Sequence, residues 1–188
     1  MKELQRFTKA ERLFHWSTVA AVLGLFATGL PIWQHLDKWK PGGINVLVSV
    51  HVWLFGALLV LGALTFLITR RERVAASAVR FNPGQRFNLL AFEGLIAYLL
   101  ATGSVRYVGK LIGFPRATLT TIDQWHFAGA VILLVLLLGH LAMVLLVPKN
   151  RGILAAMTTG HVPEDVARSV APAWVEAVNR EADQPAPR

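Results

Sequence analysis

The chain has 188 residues, of which 54% are apolar, and a formal net charge of +8. Charged residues make up only 16% of the chain, which argues against a soluble globule, and the high apolar fraction excludes a disordered chain. Without cysteine, the protein has no disulfides, no iron–sulfur clusters and no thiolate zinc sites. Because the basic residues fall between long apolar runs, the composition indicates an integral membrane protein rather than a nucleic-acid-binding protein.

Four apolar runs are long enough to cross a hydrocarbon core about 30 Å thick, which takes about 20 helical residues. The sequence predicts an all-α, four-helix membrane bundle over residues 1–148 and a cytoplasmic tail over residues 149–188. In the tail we expect a short surface helix around Asp165–Asn179 and a disordered end. Thr121-Ile122-Asp123-Gln124 is typical of a capping box at the start of the fourth span. The predicted spans are residues 13–33, 46–69, 87–107 and 122–147.

The first apolar run also has the features of a cleaved signal peptide. A basic stretch precedes it, and Ala27-Thr28-Gly29 resembles a small-residue cleavage site. However, the run is long, begins with a histidine and continues past that site. A membrane span is therefore the favoured interpretation.

The loop charges predict how the four spans are oriented. Basic loops remain in the cytoplasm, so the side with more lysine and arginine, which holds both termini, is expected to face the cytoplasm of a bacterial inner membrane. Eleven such residues lie on that side and five on the other. The eleven are Lys2, Arg6, Lys9, Arg12, Arg70, Arg71, Arg73, Arg80, Arg86, Lys149 and Arg151, and the five are Lys38, Lys40, Arg106, Lys110 and Arg116.

Four of the six histidines lie within the predicted spans, where ionisable groups are rare and usually functional. His126 and His140 are fourteen residues apart, about 21 Å along a helix, and leave nearly the same helix face. By depth, His51 pairs with His126 near the outer surface, and His15 pairs with His140 near the inner surface. Each histidine taken alone equally fits a neutral imidazole bonded to a neighbouring helix.

Two facing imidazole pairs in a helix bundle are typical of two bis-histidine haems of b type. Zinc is a poor alternative, because no carboxylate or thiolate accompanies either pair. A proton relay would need acidic partners at membrane depth, where Glu93 is available, although a structural role for Glu93 is favoured. Small residues in the spans give room for a macrocycle or for ordinary helix packing. These residues are Gly24, Gly29, Gly56, Gly62, Gly129 and Gly139.

Stretches along most of the chain match a known family. They include Glu11-Arg12-Leu13-Phe14-His15-Trp16, the His126/His140 spacing and Phe81-Asn82-Pro83-Gly84-Gln85-Arg86, which is similar to an Asn-x-Gly-Gln stretch of that family. On these residues the chain resembles the membrane-anchoring cytochrome b (gamma) subunit of respiratory formate dehydrogenases. Related dihaem anchors occur in hydrogenases and thiosulfate reductases.

The resemblance implies an inner haem b held by His15 and His140 and an outer haem b held by His51 and His126. It also implies a site for a quinone, menaquinone or ubiquinone, bordered by three residues before and at the start of the third span. These residues are Asn82, Gly84 and Gln85. The same stretch also fits a simple turn that leads into a helix.

The expected function is electron transfer within a respiratory oxidoreductase. A periplasmic iron–sulfur subunit would deliver electrons, which would pass through the two haems to a quinone near the cytoplasmic face. The substrate chemistry is then expected in another chain, the catalytic subunit of a membrane-bound dehydrogenase. One alternative is a stand-alone dihaem enzyme that exchanges electrons between quinone and superoxide. Another is a haem-free channel or assembly scaffold.

Overall fold

The computed structural model describes residues 2–35, 41, 45–69 and 79–183 of the chain. Four helices are long and apolar enough to cross a membrane, which confirms the predicted all-α class with four membrane-spanning helices. They are α1 (Lys9–Trp33), α2 (Val46–Thr69), α3 (Pro83–Leu111) and α4 (Arg116–Leu146). Several loop residues of the orientation argument lie outside the described residues, namely Lys38, Lys40, Arg70, Arg71 and Arg73.

Local capping explains where α1 and α3 begin. At the start of α1, the Thr8 backbone N–H donates to Glu11 Oε2 (2.8 Å) and the Glu11 N–H donates to Thr8 Oγ1 (3.1 Å). Asn82 and Gln85 form the same reciprocal arrangement at α3, with distances of 2.9 and 3.1 Å, and Pro83 occupies the first helical position. Both helices therefore begin about one turn before the predicted spans.

The capping box predicted at Thr121–Gln124 is wrong, because α4 begins earlier, directly after Pro115. Thr121 lies inside the helix, and its hydroxyl donates to the Ala117 carbonyl one turn back, at 3.1 Å. Asp123 pairs instead with Arg106 on α3, with Nε and Oδ1 2.6 Å apart. The sequence pattern was ambiguous because a threonine inside a helix can bond to its own backbone.

The chain divides into two compact units. We call Phe14–Leu64 with Phe92–Leu136 the central unit. We call Met1–Leu13, Thr65–Ala91 and Leu137–Arg188 the terminal unit.

A two-stranded antiparallel sheet joins the start of the chain to its tail within the terminal unit. Strand β1 (Glu3–Gln5) pairs with β2 (His161–Pro163), with Leu4 opposite Val162. The preceding Gly160 has φ of +89°, and its carbonyl accepts the backbone N–H groups of Arg6 and Phe7. A Cβ at Gly160 would lie 2.9 Å from the Phe7 carbonyl oxygen. Glycine therefore allows the tail to pack this closely against the backbone of Phe7.

The described part of the tail, up to residue 183, contains three helices rather than the single short helix predicted around Asp165–Asn179. These are α5 (Pro148–Thr159), α6 (Glu164–Val170) and α7 (Pro172–Ala182). The predicted helix is divided because Pro172 has no N–H with which to continue α6. It is also not a surface helix, since Trp174 and Val175 are fully buried in a core that includes Leu4 and Val162. The last residues, 184–188, where a disordered end is predicted, lie outside the described residues.

Two arginines are buried in the terminal unit between aromatic rings. Arg80 forms a two-pronged ion pair with Glu11 (2.6 and 3.1 Å), and its guanidinium also donates to the Arg6 carbonyl at 2.9 Å. The Arg6 guanidinium lies 5.0 Å from the Trp174 ring centroid. Burial, reinforced by the charge of Arg80, lowers the pKa of Arg6 to about 10. On the exposed side of the same unit, the hydrogen bond from Arg168 holds the pKa of Glu164 below its ordinary value.

In the central unit, segments of all four long helices pack together. The Trp33 ring of α1 stacks on the Phe127 ring of α4, with centroids 4.1 Å apart and planes 4° apart. A Cβ at Gly24 would lie 2.8 Å from Leu54, and one at Gly129 would lie 2.5 Å from Tyr98. These two glycines therefore serve close helix packing.

Candidate functional site

Two of the predicted ligand histidines face each other in the central unit. His51 near the start of α2 and His126 in α4 are both half-buried, and their ring centroids are 6.4 Å apart with planes at 71°. They belong to different helices, so the packing of α2 against α4 brings them together. A pair of imidazoles at this separation, inside an apolar helix bundle, is the central feature of the site.

Each of these histidines is held by a threonine of the neighbouring helix. The Nδ1 atom of His51 lies 2.8 Å from the hydroxyl oxygen of Thr28 on α1. The Nδ1 atom of His126 lies 2.8 Å from the hydroxyl oxygen of Thr102 on α3. Each of the four helices thus contributes one polar side chain, two imidazoles and two hydroxyls.

The threonine hydroxyls also contact the backbone of their own helices. The hydroxyl oxygen of Thr28 lies 2.8 Å from the Gly24 carbonyl oxygen, and that of Thr102 lies 2.9 Å from the Tyr98 carbonyl oxygen. A hydroxyl that donates its single hydrogen to the backbone accepts the Nδ1–H of the histidine. In that arrangement the Nε2 atom of each ring carries a lone pair, which is the form that binds a metal.

A glycine follows each threonine and lies against the histidine ring. A Cβ at Gly29 would be 3.1 Å from His51 Cε1, and a Cβ at Gly103 would be 3.5 Å from His126 Cε1. At Gly29 the absence of a side chain lets the imidazole approach the helix backbone closely, whereas at Gly103 a Cβ would make only an ordinary van der Waals contact. Gly29 accordingly positions a histidine of the facing pair, a role distinct from the two roles considered for the span glycines in the sequence.

The spacing of the two rings fits a single metal ion between them. A metal–imidazole nitrogen bond is about 2.0 Å and the nitrogen is about 1.1 Å from the ring centre, so two collinear ligands place their centroids about 6.2 Å apart. The observed 6.4 Å agrees with this value. Among the described residues, no group of three or more His, Cys, Asp and Glu side chains could hold a metal ion. Zinc, which takes three or four protein ligands, is therefore disfavoured against haem iron, which takes two.

The other two histidines of the predicted set lie in different units. His15 is on α1 in the central unit, and its ring meets the edge of Trp16 at 5.3 Å. His140 is on α4 in the terminal unit, where the side-chain amide of Asn88 lies 3.3 Å from its Nδ1 atom. Pairing of His15 with His140 stays a prediction.

The residues of the predicted quinone site lie at the start of α3, in the terminal unit. Asn82 and Gln85 cap the helix, and the Asn82 side chain also donates to the Val170 carbonyl at 3.3 Å. Gln85 Oε1 accepts from Arg6 at 3.5 Å. A Cβ at Gly84 would meet only the Asn82 side chain, at 3.5 Å. These contacts give the stretch a structural function as a helix start joined to the tail.

Glu93 and the two remaining histidines do not belong to the facing pair. The Glu93 side chain is exposed on α3, and no hydrogen bond or ion pair involves it within the described part of the chain. His35 follows the end of α1, and His161 is exposed in β2.

The threonines of the site are the functional residues that the sequence analysis missed. The pattern that could have revealed them is an internal repeat: Leu25-Phe26-Ala27-Thr28-Gly29 in α1 and Leu99-Leu100-Ala101-Thr102-Gly103 in α3. The histidines follow at similar distances, 23 residues after the first threonine and 24 after the second. Part of the first copy, Ala27-Thr28-Gly29, also resembles a signal-peptide cleavage site, which is the alternative that the sequence pattern raised.

Four apolar membrane-spanning helices with a facing pair of histidines are typical of membrane-bound haem proteins. The family model described as prokaryotic cytochrome b561 matches residues 6–160, and the chain belongs to this family. No curated protein matches the chain. The protein is thus a multi-pass bacterial membrane protein that binds haem b and transfers electrons.

Proposed function

We propose that the protein is the dihaem cytochrome b subunit of a respiratory oxidoreductase similar to formate dehydrogenase. It carries electrons from a periplasmic iron–sulfur subunit to a quinone near the cytoplasmic face. The observation that carries the proposal is the His51/His126 pair, whose ring separation of 6.4 Å suits two axial ligands of one iron. Haem b supplies an iron atom that is reversibly reduced by one electron.

Under this proposal, His51 and His126 ligate the outer haem, and His15 and His140 ligate the inner haem. Support for the second pair comes from the continuity of α4, which carries both His126 and His140 on one unbroken helix. The fourteen-residue spacing keeps the two ligands on nearly the same face of that helix. Each imidazole holds iron through one nitrogen, while its other nitrogen is oriented by a neighbouring polar side chain.

The proposed orientation has both termini in the cytoplasm, so the outer haem lies on the periplasmic side. The basic residues Arg6, Arg12 and Arg80 support this orientation, because they lie in the terminal unit, which contains both ends of the chain. Electrons then enter at His51/His126 and leave at His15/His140.

We place the quinone site at the inner end of α3, bordered by Asn82, Gly84 and Gln85. Asn88, one turn further along α3, contacts the Nδ1 atom of His140 at 3.3 Å, so this end of the helix adjoins the inner ligand. Because Asn82 and Gln85 also cap α3, their substitution is expected to affect helix α3 as well as the quinone. The effect on helix α3 and the effect on the quinone can be separated with Gly84→Ala, because this substitution leaves both capping side chains unchanged.

The experiment is purification of the tagged chain from its native membrane in mild detergent. The expected result is two b haems per chain and co-purification of an iron–sulfur subunit with a catalytic subunit. Addition of the catalytic subunit's substrate should then reduce the haems, and added quinone should reoxidise them. Recovery of the haem-loaded chain alone, with quinone reduced directly by superoxide, would overturn the subunit proposal in favour of a stand-alone enzyme. A preparation without a Soret band would overturn haem binding itself.

A further inference from the structure

The central unit contains the same arrangement twice, a threonine hydroxyl in contact with a histidine of the next helix. In the first half, Thr28 on α1 holds His51 on α2; in the second half, Thr102 on α3 holds His126 on α4. Both hydroxyl–imidazole distances are 2.8 Å, and both hydroxyls also bond to the carbonyl four residues earlier. The contact recurs in both copies of the Leu-x-Ala-Thr-Gly stretch, 74 residues apart, and in each copy its partner is one histidine of the facing pair.

We propose that Thr28 and Thr102 are positioning residues that set the reduction potential of the outer haem by accepting hydrogen bonds from the Nδ1–H groups of its two ligands. The inference rests on the proposed function, because it presumes that His51 and His126 ligate one iron. It adds two residues, and a property of the site, that the ligand set alone does not specify.

The direction of the effect follows from the charge on the imidazole. An oxygen that accepts the Nδ1–H draws the proton away from the ring and makes Nε2 a stronger electron donor. A stronger donor stabilises ferric iron over ferrous iron, so the threonines lower the potential. When the threonine hydrogen is donated to the backbone carbonyl, the hydroxyl oxygen acts as the acceptor of the Nδ1–H.

The two-fold arrangement has a second consequence. Both ligands carry the same hydrogen bond, so the two threonines are expected to contribute equally. At the other predicted site, the contact to His140 is an asparagine amide at 3.3 Å, a longer contact of different chemistry. The threonine effect is therefore expected to be confined to the outer haem.

The test uses the haem-loaded, full-length protein and the variants Thr28→Val, Thr102→Val and the double variant. Removing a hydrogen-bonding partner of a metal ligand changes metal affinity about 10-fold or more. If the loss falls on the ferric form, a tenfold change raises the midpoint potential of the outer haem by about 59 mV. The double variant should then shift by about the sum of the single shifts. The readouts are an optical redox titration and the electron paramagnetic resonance spectrum of the ferric haem.

Two controls separate the hydroxyl from the volume of the side chain. Thr28→Ser and Thr102→Ser keep the hydroxyl and should keep the wild-type potential. Thr121→Val removes a threonine of α4 whose hydroxyl bonds to the Ala117 carbonyl, and it should leave the outer haem unchanged. Loss of the outer haem in the valine variants but not in the serine variants would also show that the threonine hydroxyl is required to position the histidine ligands.

An unchanged potential in both valine variants, with the haem retained, would overturn the inference. So would serine variants that shift the potential, or lose the haem, as the valine variants do. Neither outcome touches the proposed function, which fails instead if the wild-type protein contains no haem ligated by His51 and His126.

Discussion

The central unit and the terminal unit are each stabilised internally by different kinds of contact. The largest fully buried side chains of the described residues, Trp174, Arg6, Val162 and Val175, all belong to the terminal unit. The long helices of the central unit expose many large apolar side chains, as expected of helices that face lipid, where burial of apolar surface drives little association. The central unit has apolar contacts such as the Trp33/Phe127 stack, and two of its polar contacts converge on histidines.

This contrast explains why the same residue types behave differently in the two units. In the terminal unit, polar groups such as Arg80 and Glu11 support a water-excluded core. In the central unit, two polar contacts hold the facing histidines in place inside a lipid-facing bundle. Substitutions should therefore change stability in one unit and the properties of the haem in the other.

The largest stability effect is expected for Trp174→Ala. Truncating a fully buried tryptophan costs about 3–5 kcal/mol, so the tail should exchange its amide hydrogens more than 100-fold faster, measured by mass spectrometry over residues 161–182. The spectrum of the outer haem should not change. Trp53→Ala is the control, because this side chain is 79% exposed and its loss should leave exchange in the tail unaffected. Equal exchange in both variants would contradict the contrast between the units.

A smaller effect is expected for Arg80→Met, which removes the two-pronged ion pair with Glu11 and the bond to the Arg6 carbonyl. Loss of hydrogen bonds to a charged group costs about 1.5–3 kcal/mol, seen as faster amide exchange over residues 3–13. The matched control is Arg106→Met, whose pair with Asp123 has the same 2.6 Å distance but is more exposed. That loss should cost less than about 1 kcal/mol. A larger cost for Arg106 than for Arg80 would show that burial does not decide the value of these pairs.

The smallest effect is expected for alanine substitutions at two glycines of the central unit, Gly29 and Gly103. Gly29→Ala places a Cβ 3.1 Å from His51, so the ring must shift, at a cost of about 1 kcal/mol and with a changed outer-haem spectrum. Gly103→Ala meets His126 at an ordinary 3.5 Å and should leave the spectrum unchanged. Identical spectra for the two variants would argue that the rings are not held against the glycines. Terminal-unit stability should be unaffected in both.

The sequence alone predicted the four helices well, because hydropathy over about 20 residues is a strong signal. It placed α2 at its observed bounds but missed where α4 begins, because the Thr121–Gln124 pattern fits both a cap and a helix interior. The tail was predicted poorly, since its core depends on long-range contacts between β1 and residues 161–175. No local pattern reports such contacts.

For the site, histidine spacing and depth identified the residues that meet in the structure as His51 and His126. Helical periodicity gives the face of each helix, and loop charges order the depths, so these two inferences needed no coordinates. The threonines required the structure, because their role depends on the distance between neighbouring helices. The Leu-x-Ala-Thr-Gly repeat could be related to the site only once the positions of the threonines in the structure were known.

The most direct measurement is the number of haems per chain, from the pyridine haemochrome spectrum, in His51→Ala, His126→Ala and the double variant. If the two histidines ligate one iron, all three variants retain the same single haem, whereas the wild-type protein retains two. A double variant with fewer haems than either single variant, or single variants that keep both haems, would contradict the account.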